Sequence, residues 1–405
     1  MPVVHDLDLP FVDIFDPDAA ANLPTQLAGW FEEGHWVVRT PLWYSVIEHD
    51  AVRELQKHPD LHTLGVRLLE MQGVNEGYLH EASTRLILSL EGDDHTRIRR
   101  LAAKAFTPRA VEQFRPMMRT FLEQRLDAIS AKGRCEFMAD VAEAYPIAVI
   151  CQLVGAPRAD WPLFSAWAEQ VFKQFNFNLG TDLPDIEQAA QEMETYLEEL
   201  VAQRRANPGN DLLSELIAVE ETDGDRLTHR ELLDLVSALL LAGTDTTRNQ
   251  LGLAVMAFCE HPDQWQRLAD DPRLVPGAVE EILRYQSTVA ATPRVTVADV
   301  DYRGVTFPAG TMVALLTQAA DHDPRVVTCP ADLNIEADRE GWSHLAFGSG
   351  PHYCLGANLA RAELQEALTL LPARLPNVRL DGTPEMKPFL GIYGPRTLPI
   401  AFGPT

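Results

Sequence analysis

The sequence predicts a mainly α-helical protein carrying a few small β-sheets, an α+β chain in which helix dominates. Three observations lead there. Between residues 95 and 285, charged and apolar positions recur at three- and four-residue spacing, as at Tyr196, Leu197, Leu200 and Val201. The β-branched and aromatic runs are short and scattered along the chain. The composition, 46% apolar and 23% charged over 405 residues, is that of a folded globular protein and excludes disordered, fibrous and collagen-like alternatives.

Taken in order, the first β signal is His35 to Val46, rich in Val, Trp and Tyr around Pro41, which predicts a short hairpin. Helical periodicity then takes over, and one helix stands out. It opens with Thr228-His229-Arg230-Glu231, a capping box in which hydroxyl and carboxylate satisfy each other's backbone amides. It runs through Leu232, Leu233, Val236, Leu239 and Leu240 to Phe258 and stops before Pro262; about 30 residues at 1.5 Å each give a rod of roughly 45 Å. A helix starting near Pro276 carries Glu281 and Arg284. Further β signals fall at Val295 to Val305, Thr311 to Leu316 and Leu390 to Phe402, and a last helix begins near Leu355. With no internal repeat, low-complexity stretch or long linker, residues 1–405 are expected to form a single domain.

Acidic residues outnumber basic ones, 59 to 34, for a formal charge of −25. A phosphate-tracking protein needs a positive footprint, so nucleic acid and anionic membranes are excluded as partners. No basic stretch followed by an apolar core opens the chain, and no window of about 18 apolar residues occurs. A soluble, cytoplasmic, monomeric protein is expected. The five cysteines, at 135, 151, 259, 329 and 354, never form a C-x-x-C pair, which excludes a disulfide framework and a zinc module.

Three constellations carry chemistry. The middle of the long helix reads Ala242-Gly243-Thr244-Asp245-Thr246-Thr247, polar and weakly helical where its apolar flanks imply burial. Local rules broken in mid-helix mark a site; the lesser readings are a solvated helix turn or Gly243 packing against another helix. The second is Phe347-Gly348-Ser349-Gly350-Pro351-His352-Tyr353-Cys354-Leu355-Gly356-Ala357, an irregular loop that puts Cys354 at a helix start, where backbone amides and the dipole favour thiolate. A thiolate so held suits a soft or redox-active metal. The third pair, Glu281 and Arg284 at i and i+3, shares a helix face and could bond, as surface ion pairs commonly do.

In this order, and at these distances from the C-terminus, the three motifs resemble those of the cytochrome P450 haem-thiolate enzymes of the soluble bacterial type. The Cys354 loop is similar to the family's F-G-x-G-x-H-x-C-x-G signature at every fixed position, and the likeness covers nearly the whole chain. It implies the P450 fold, with haem b (iron protoporphyrin IX) held between the long helix and the cysteine loop. It further implies Cys354 as the axial ligand, Phe347, Gly348, Gly356 and Ala242 against the haem, and Glu281 with Arg284 as the buried pair behind it. His95 and Arg99, from a segment similar to the family's H-x-x-x-R, would bind the propionates with Arg294 and His352. Asp245 and Thr246 would deliver protons during dioxygen activation while Gly243 opens room. Two segments depart from the pattern: Asp321-His322-Asp323-Pro324, and the stretch from Asp332 to Arg339. Local packing there is in doubt.

The implied activity is that of a monooxygenase, inserting one atom of dioxygen into a hydrophobic small molecule of terpenoid, steroid or alkyl-aromatic class. This chain has no flavin or dinucleotide fingerprint, so electrons from NAD(P)H must arrive through a separate ferredoxin and its reductase. Arg97, Arg100 and Lys104 fall on a helix side apart from His95 and Arg99 and would face that donor. A peroxide-driven enzyme and a haem sensor or carrier are the alternatives, and neither needs the Asp245 and Thr246 pair. The pocket implied by the resemblance is apolar, with Val66, Leu69, Phe172, Leu239, Val289, Ala290 and Ile392 among its candidates. The aromatics between 164 and 177 could instead simply pack their helix.

Overall fold

The computed structural model describes residues 1–14, 23–175, 179–220, 227–388 and 391–403. The chain folds into two compact units, Met1–Leu64 with Glu280–Cys354, and Gly65–Val279 with Leu355–Thr405.

The first unit is built on a five-stranded mixed sheet. Its strands are β1 (Val37–Arg39), β2 (Tyr44–Val46), β3 (Leu61–Thr63), β4 (Thr292–Thr296) and β5 (Met312–Leu315), in spatial order β1-β2-β5-β4-β3. β1 and β2 are the expected hairpin, pairing Val37 with Val46 and Arg39 with Tyr44. Thr40 closes its turn, bonding the Trp43 carbonyl through its own N–H and accepting from the Trp43 N–H at 3.1 Å. β2 runs parallel to β5, and β4 bridges β5 and β3 in antiparallel register. Alternate residues turn inward, so Val37, Val46, Leu61, Val313 and Leu315 form one core with Val52, Leu55 and Phe307. β3 carries no alternation long enough to be read in the sequence, since three residues cannot show a period of two.

The second unit is helical. Its main helices are α1 (Tyr78–Arg85), α2 (Gly92–Ala103), α3 (Arg115–Ile129), α4 (Ala144–Val154), α5 (Trp161–Phe172), α6 (Leu179–Ala206), α7 (His229–Glu260), α8 (Val275–Tyr285, whose last six residues belong to the first unit) and α9 (Ala357–Arg374). α7 is the long helix expected from the sequence. It packs on α4, α5 and α6, and α9 packs on α3. Both ends of α7 are apolar and buried: Leu232, Leu233 and Val236 on one side of the polar turn, Leu251, Leu253 and Val255 on the other. A hairpin of β6 (Glu385–Met386) and β7 (Pro395–Thr397) and a three-stranded sheet of Arg134–Glu136, Pro399–Ala401 and Arg379–Leu380 complete the unit. The β signal from Leu390 to Phe402 thus resolves into two three-residue strands, with Leu390 itself outside the described residues.

The capping box at the start of α7 is formed in full. Thr228 Oγ1 accepts from the Glu231 N–H at 3.2 Å, and the Thr228 N–H donates to Glu231 Oε2 at 2.7 Å. Thr228→Ala removes one of these bonds and leaves an orphan amide, an expected loss of about 1 kcal/mol in unfolding free energy. Urea titration of the variant against the parent chain measures it.

Candidate active site

In the cysteine loop, the Gly348 N–H donates to the Leu345 carbonyl at 2.7 Å, and the Cys354 N–H to the Phe347 carbonyl at 2.9 Å. Gly350 lies in the left-handed region at φ 74°, and a Cβ there would come within 2.8 Å of the Gln56 carbonyl oxygen, so only glycine fits. These constraints leave Cys354 exposed, two residues before Gly356, the N-cap of α9. The thiol therefore precedes the helix rather than lying in its first turn. Burial pushes the thiols of Cys135 and Cys259 up to about 12, and that of Cys151 higher still. Cys329 is the other exposed cysteine.

Glu281 and Arg284 form no surface pair. Both are 2% exposed or less, and two parallel hydrogen bonds of 2.9 Å join them. Arg284 also donates to the carbonyls of Pro330 and Asp332, each at 2.8 Å, while Glu281 accepts from the Asn334 N–H and from Arg339, each at 2.9 Å. Burial by itself would raise the Glu281 carboxyl; the bonds and charge of Arg284, with Asn334 and Arg339, outweigh it and hold the group below the usual carboxylate range. The two segments that depart from the family pattern are therefore the ones that complete this pair, and the packing there is intact. Beside them, burial pulls the His322 imidazole down to about 4 and pushes the Asp321 carboxyl up, with the Leu345 N–H bonded to Asp321 Oδ1 at 2.7 Å.

On α7, neighbours in sequence point 100° apart, so Asp245 and Thr246 bond to different partners. The Thr246 hydroxyl donates back to the Ala242 carbonyl at 2.8 Å. The buried Asp245 carboxylate is gripped by two cations. Lys387 Nζ lies 2.9 Å from Oδ1 and 3.0 Å from Oδ2, and Arg248 also donates to Oδ1. Sequence reasoning missed both. Arg248 at i+3 was open to detection by spacing; Lys387 lies 142 residues away and leaves no local signal. A narrow cleft lined by Glu143, Ser165, Glu169, Phe172, Thr244, Asp245 and Arg248 leads to this group. At Gly243 the helix-packing alternative is the one realised: a Cβ there would meet Ile150 of α4 at 2.9 Å, so the space beside it is already filled. Ala242, by contrast, is exposed in the middle of an otherwise buried helix.

His95 is buried on α2, with Arg99 half-buried one turn on. In the other unit, Arg294 is buried on β4 and His352 lies in the short 3-10 turn of Gly350–His352. Of the apolar candidates, Leu69 and Val66 pack into a cluster with Val74, Leu79, Leu179 and Ile186. Leu239 and Ala290 are buried, and Val289 is half-buried. Phe172 stacks at a tilt on Phe175, and the chain at Gly391 abuts Phe175, bringing the turn that carries the half-buried Ile392 beside them. Phe389 and Leu390 lie outside the described residues.

Comparison with known proteins agrees with this arrangement. The family description "Cytochrome P450" matches residues 162–374. The chain is 36% identical to luteothin monooxygenase of Streptomyces thioluteus, over 98% of this chain and 97% of that one. It is 38% identical to the vitamin D(3) 25-hydroxylase of Pseudonocardia autotrophica, over 79% of each chain. The crystal structure of CalO2 superposes with a TM-score of 0.90 at 30% identity, covering 98% of this chain and all of that one. The chain belongs to the cytochrome P450 family and is a haem-dependent monooxygenase.

The residues fit that cofactor. A thiolate-ligated haem needs an accessible cysteine and donors for two carboxylates; Cys354 is exposed, and donor side chains of the right kind are present in each unit, His95 and Arg99 in one and Arg294 and His352 in the other. Bound through a thiolate, haem supplies dioxygen binding and O–O cleavage.

His322 makes the first unit acid-sensitive. Its imidazole binds a proton at about 4 when folded against 6.5 when free. Between those values the unfolded chain holds more protons at this group, so the His322 contribution to stability falls as pH drops through that window, by up to about 3 kcal/mol, while the raised Asp321 carboxyl works in the opposite sense. Glu281, depressed when folded, adds a loss only below the ordinary carboxylate range. His322→Asn should lose less stability than the parent between pH 7 and about pH 4.5, measured by urea unfolding at each pH.

Proposed function

We propose that this monooxygenase oxygenates a hydrophobic small molecule of terpenoid, steroid or alkyl-aromatic class, working as a single-domain monomer with electrons passed from NAD(P)H by a ferredoxin and its reductase. Cys354 holds the iron, and His95, Arg99, Arg294 and His352 hold the propionates. Asp245 and Thr246 manage protons, which separates this reading from a peroxide-driven one. The apolar side chains at Phe172, Phe175 and Ile392 support the substrate class, as do relatives named for luteothin and vitamin D(3).

The electron donor is supported by one observation. Asn358 on the first turn of α9, four residues past Cys354, donates to the Phe106 carbonyl at 2.8 Å. The segment carrying the exposed Arg100, Lys104 and Arg109 is thereby fastened to the helix that follows the cysteine, where an electron has the shortest path. Arg97 does not belong to that face. It is drawn onto Glu231 of the α7 capping box and onto Asp94, because a partly buried carboxylate outcompetes water for its guanidinium.

Cys354→Ala should abolish the red-shifted Soret band of the reduced carbon monoxide complex, whereas Cys329→Ala should keep it; survival of the band in the first variant removes Cys354 as ligand. For the donor, Arg100→Glu, Lys104→Glu and Arg109→Glu should each slow haem reduction by a ferredoxin at low salt. The difference should shrink as ionic strength rises and screening shortens to about 8 Å. Stopped-flow reduction at two salt concentrations reads this, and rates equal to the parent at low salt place the donor elsewhere.

A further inference from the structure

The loop that presents Cys354 rests on the end of the short helix His49–Leu55, and one buried side chain there meets two segments of the site at once. Ser349 Oγ donates to the Arg53 carbonyl at 3.0 Å, and Gly350 lies against the Gln56 carbonyl. Gln56 is the C-cap of that helix, its N–H donating to the Val52 carbonyl at 3.0 Å, and the residue is only 4% exposed. Its amide lies against Gly348, where a Cβ would stand 3.6 Å from Gln56 Nε2. The same Nε2 donates to Thr292 Oγ1 at 3.0 Å. Thr292 stands on β4 two residues before Arg294, so the two share a face of the strand. All of these residues belong to the first unit.

The other half of the amide carries the argument further. Gln56 Oε1 is buried and has no hydrogen-bond partner among the described residues. A hydroxyl can donate or accept, so turning the amide over would bond Oε1 to Thr292 and leave the NH2 group without a partner instead. Either way an amide is buried with one end unsatisfied, which costs free energy that an apolar side chain of the same size would not. Packing alone would be served better by methionine. What the amide adds is a tie between the cysteine loop and β4: it is wedged between Gly348 and Thr292, and Phe347, next to Gly348, accepts the Cys354 N–H at 2.9 Å. We propose that Gln56 is a positioning residue for the iron ligand, joining the backbone that orients Cys354 to the strand that carries Arg294, so that the thiolate and the propionate donor keep one spacing. The proposal rests on Cys354 and Arg294 being those groups.

The test uses haem-loaded enzyme and two readouts other than turnover. One is the rate at which haem passes to an excess of haem-free myoglobin. The other is the urea concentration at which the reduced carbon monoxide complex loses its red-shifted Soret band, set beside unfolding followed by circular dichroism in the same samples. Gln56→Met removes the amide and keeps its bulk; Thr292→Val removes the hydroxyl and keeps its shape. Each should speed haem transfer by about fivefold, the worth of one buried hydrogen bond, and lose the band at lower urea than the parent while the unfolding midpoint stays in place. The two variants break the same bond, so the double variant should be no faster than either single one. Thr292→Ser, which keeps the hydroxyl, should behave as the parent. A Gln56→Met enzyme with the parent's transfer rate and band overturns the proposal. Effects that add in the double variant also overturn it, as does a band that is lost only in step with unfolding, which would leave the amide a structural tie. If Cys354→Ala keeps the red-shifted band, the ligand assignment falls and the proposal with it, whatever the Gln56 variants do.

Discussion

Glu281 and Arg284 are two opposite charges taken almost entirely out of water, and the irregular chain from Asp321 to Arg339 is organised around satisfying them. Desolvating an ion pair costs several kcal/mol per ion, repaid only when every remaining donor and acceptor finds a partner. Here the partners are the carbonyls of Asp321, Pro330 and Asp332, the Asn334 N–H and the Arg339 guanidinium. A segment with little regular secondary structure is thereby held in one conformation. It leads into the loop that presents Cys354, so the pair fixes the chain on which that loop is built. Removing either partner alone leaves the other charge buried and uncompensated, at about 3–5 kcal/mol.

A similar accounting governs the polar turn of α7. A helix buried along both flanks carries an acid in its middle, and the acid is kept there by Lys387 and Arg248 rather than by water. Burying that carboxylate needs compensation; cations from two elements provide it, and Gly243 lets α4 approach closely enough to close one side. The turn departs from helix propensity without breaking the helix.

Much of this was legible in the chain. The capping box marked the start of α7, the apolar flanks marked its burial, and the glycine spacing around Cys354 marked an irregular loop before a helix. The hairpin at Val37–Val46 and the strand at Met312–Leu315 followed from local residue types, whereas the signal read at Val295 to Val305 starts inside the strand Thr292–Thr296 and runs on into a separate short hairpin of Val300–Tyr302 and Val305–Phe307. Other features were hidden because their cause is not local. Arg97 read as part of an exposed basic face, yet Glu231, 134 residues on, captures it. The segments departing from the family pattern suggested weakened packing, yet they bond to the buried pair mostly through backbone groups, which any residue provides. Leu69 suited an apolar pocket and a packed cluster equally well, since hydrophobicity does not state which surface it meets.

The sequence by itself determined the helices, the cysteine loop and the family, because these depend on periodicity, on glycine's access to left-handed backbone and on short motifs whose parts lie within a few residues of one another. Only the tertiary structure decided which charges meet. Lys387 and Asp245 are joined because a hairpin docks on a helix, and Gly243 serves packing because Ile150 arrives beside it. An ion pair or a close contact is a property of distance in space, and the spacing of residues along the chain carries that distance only within a helix turn or a strand pair.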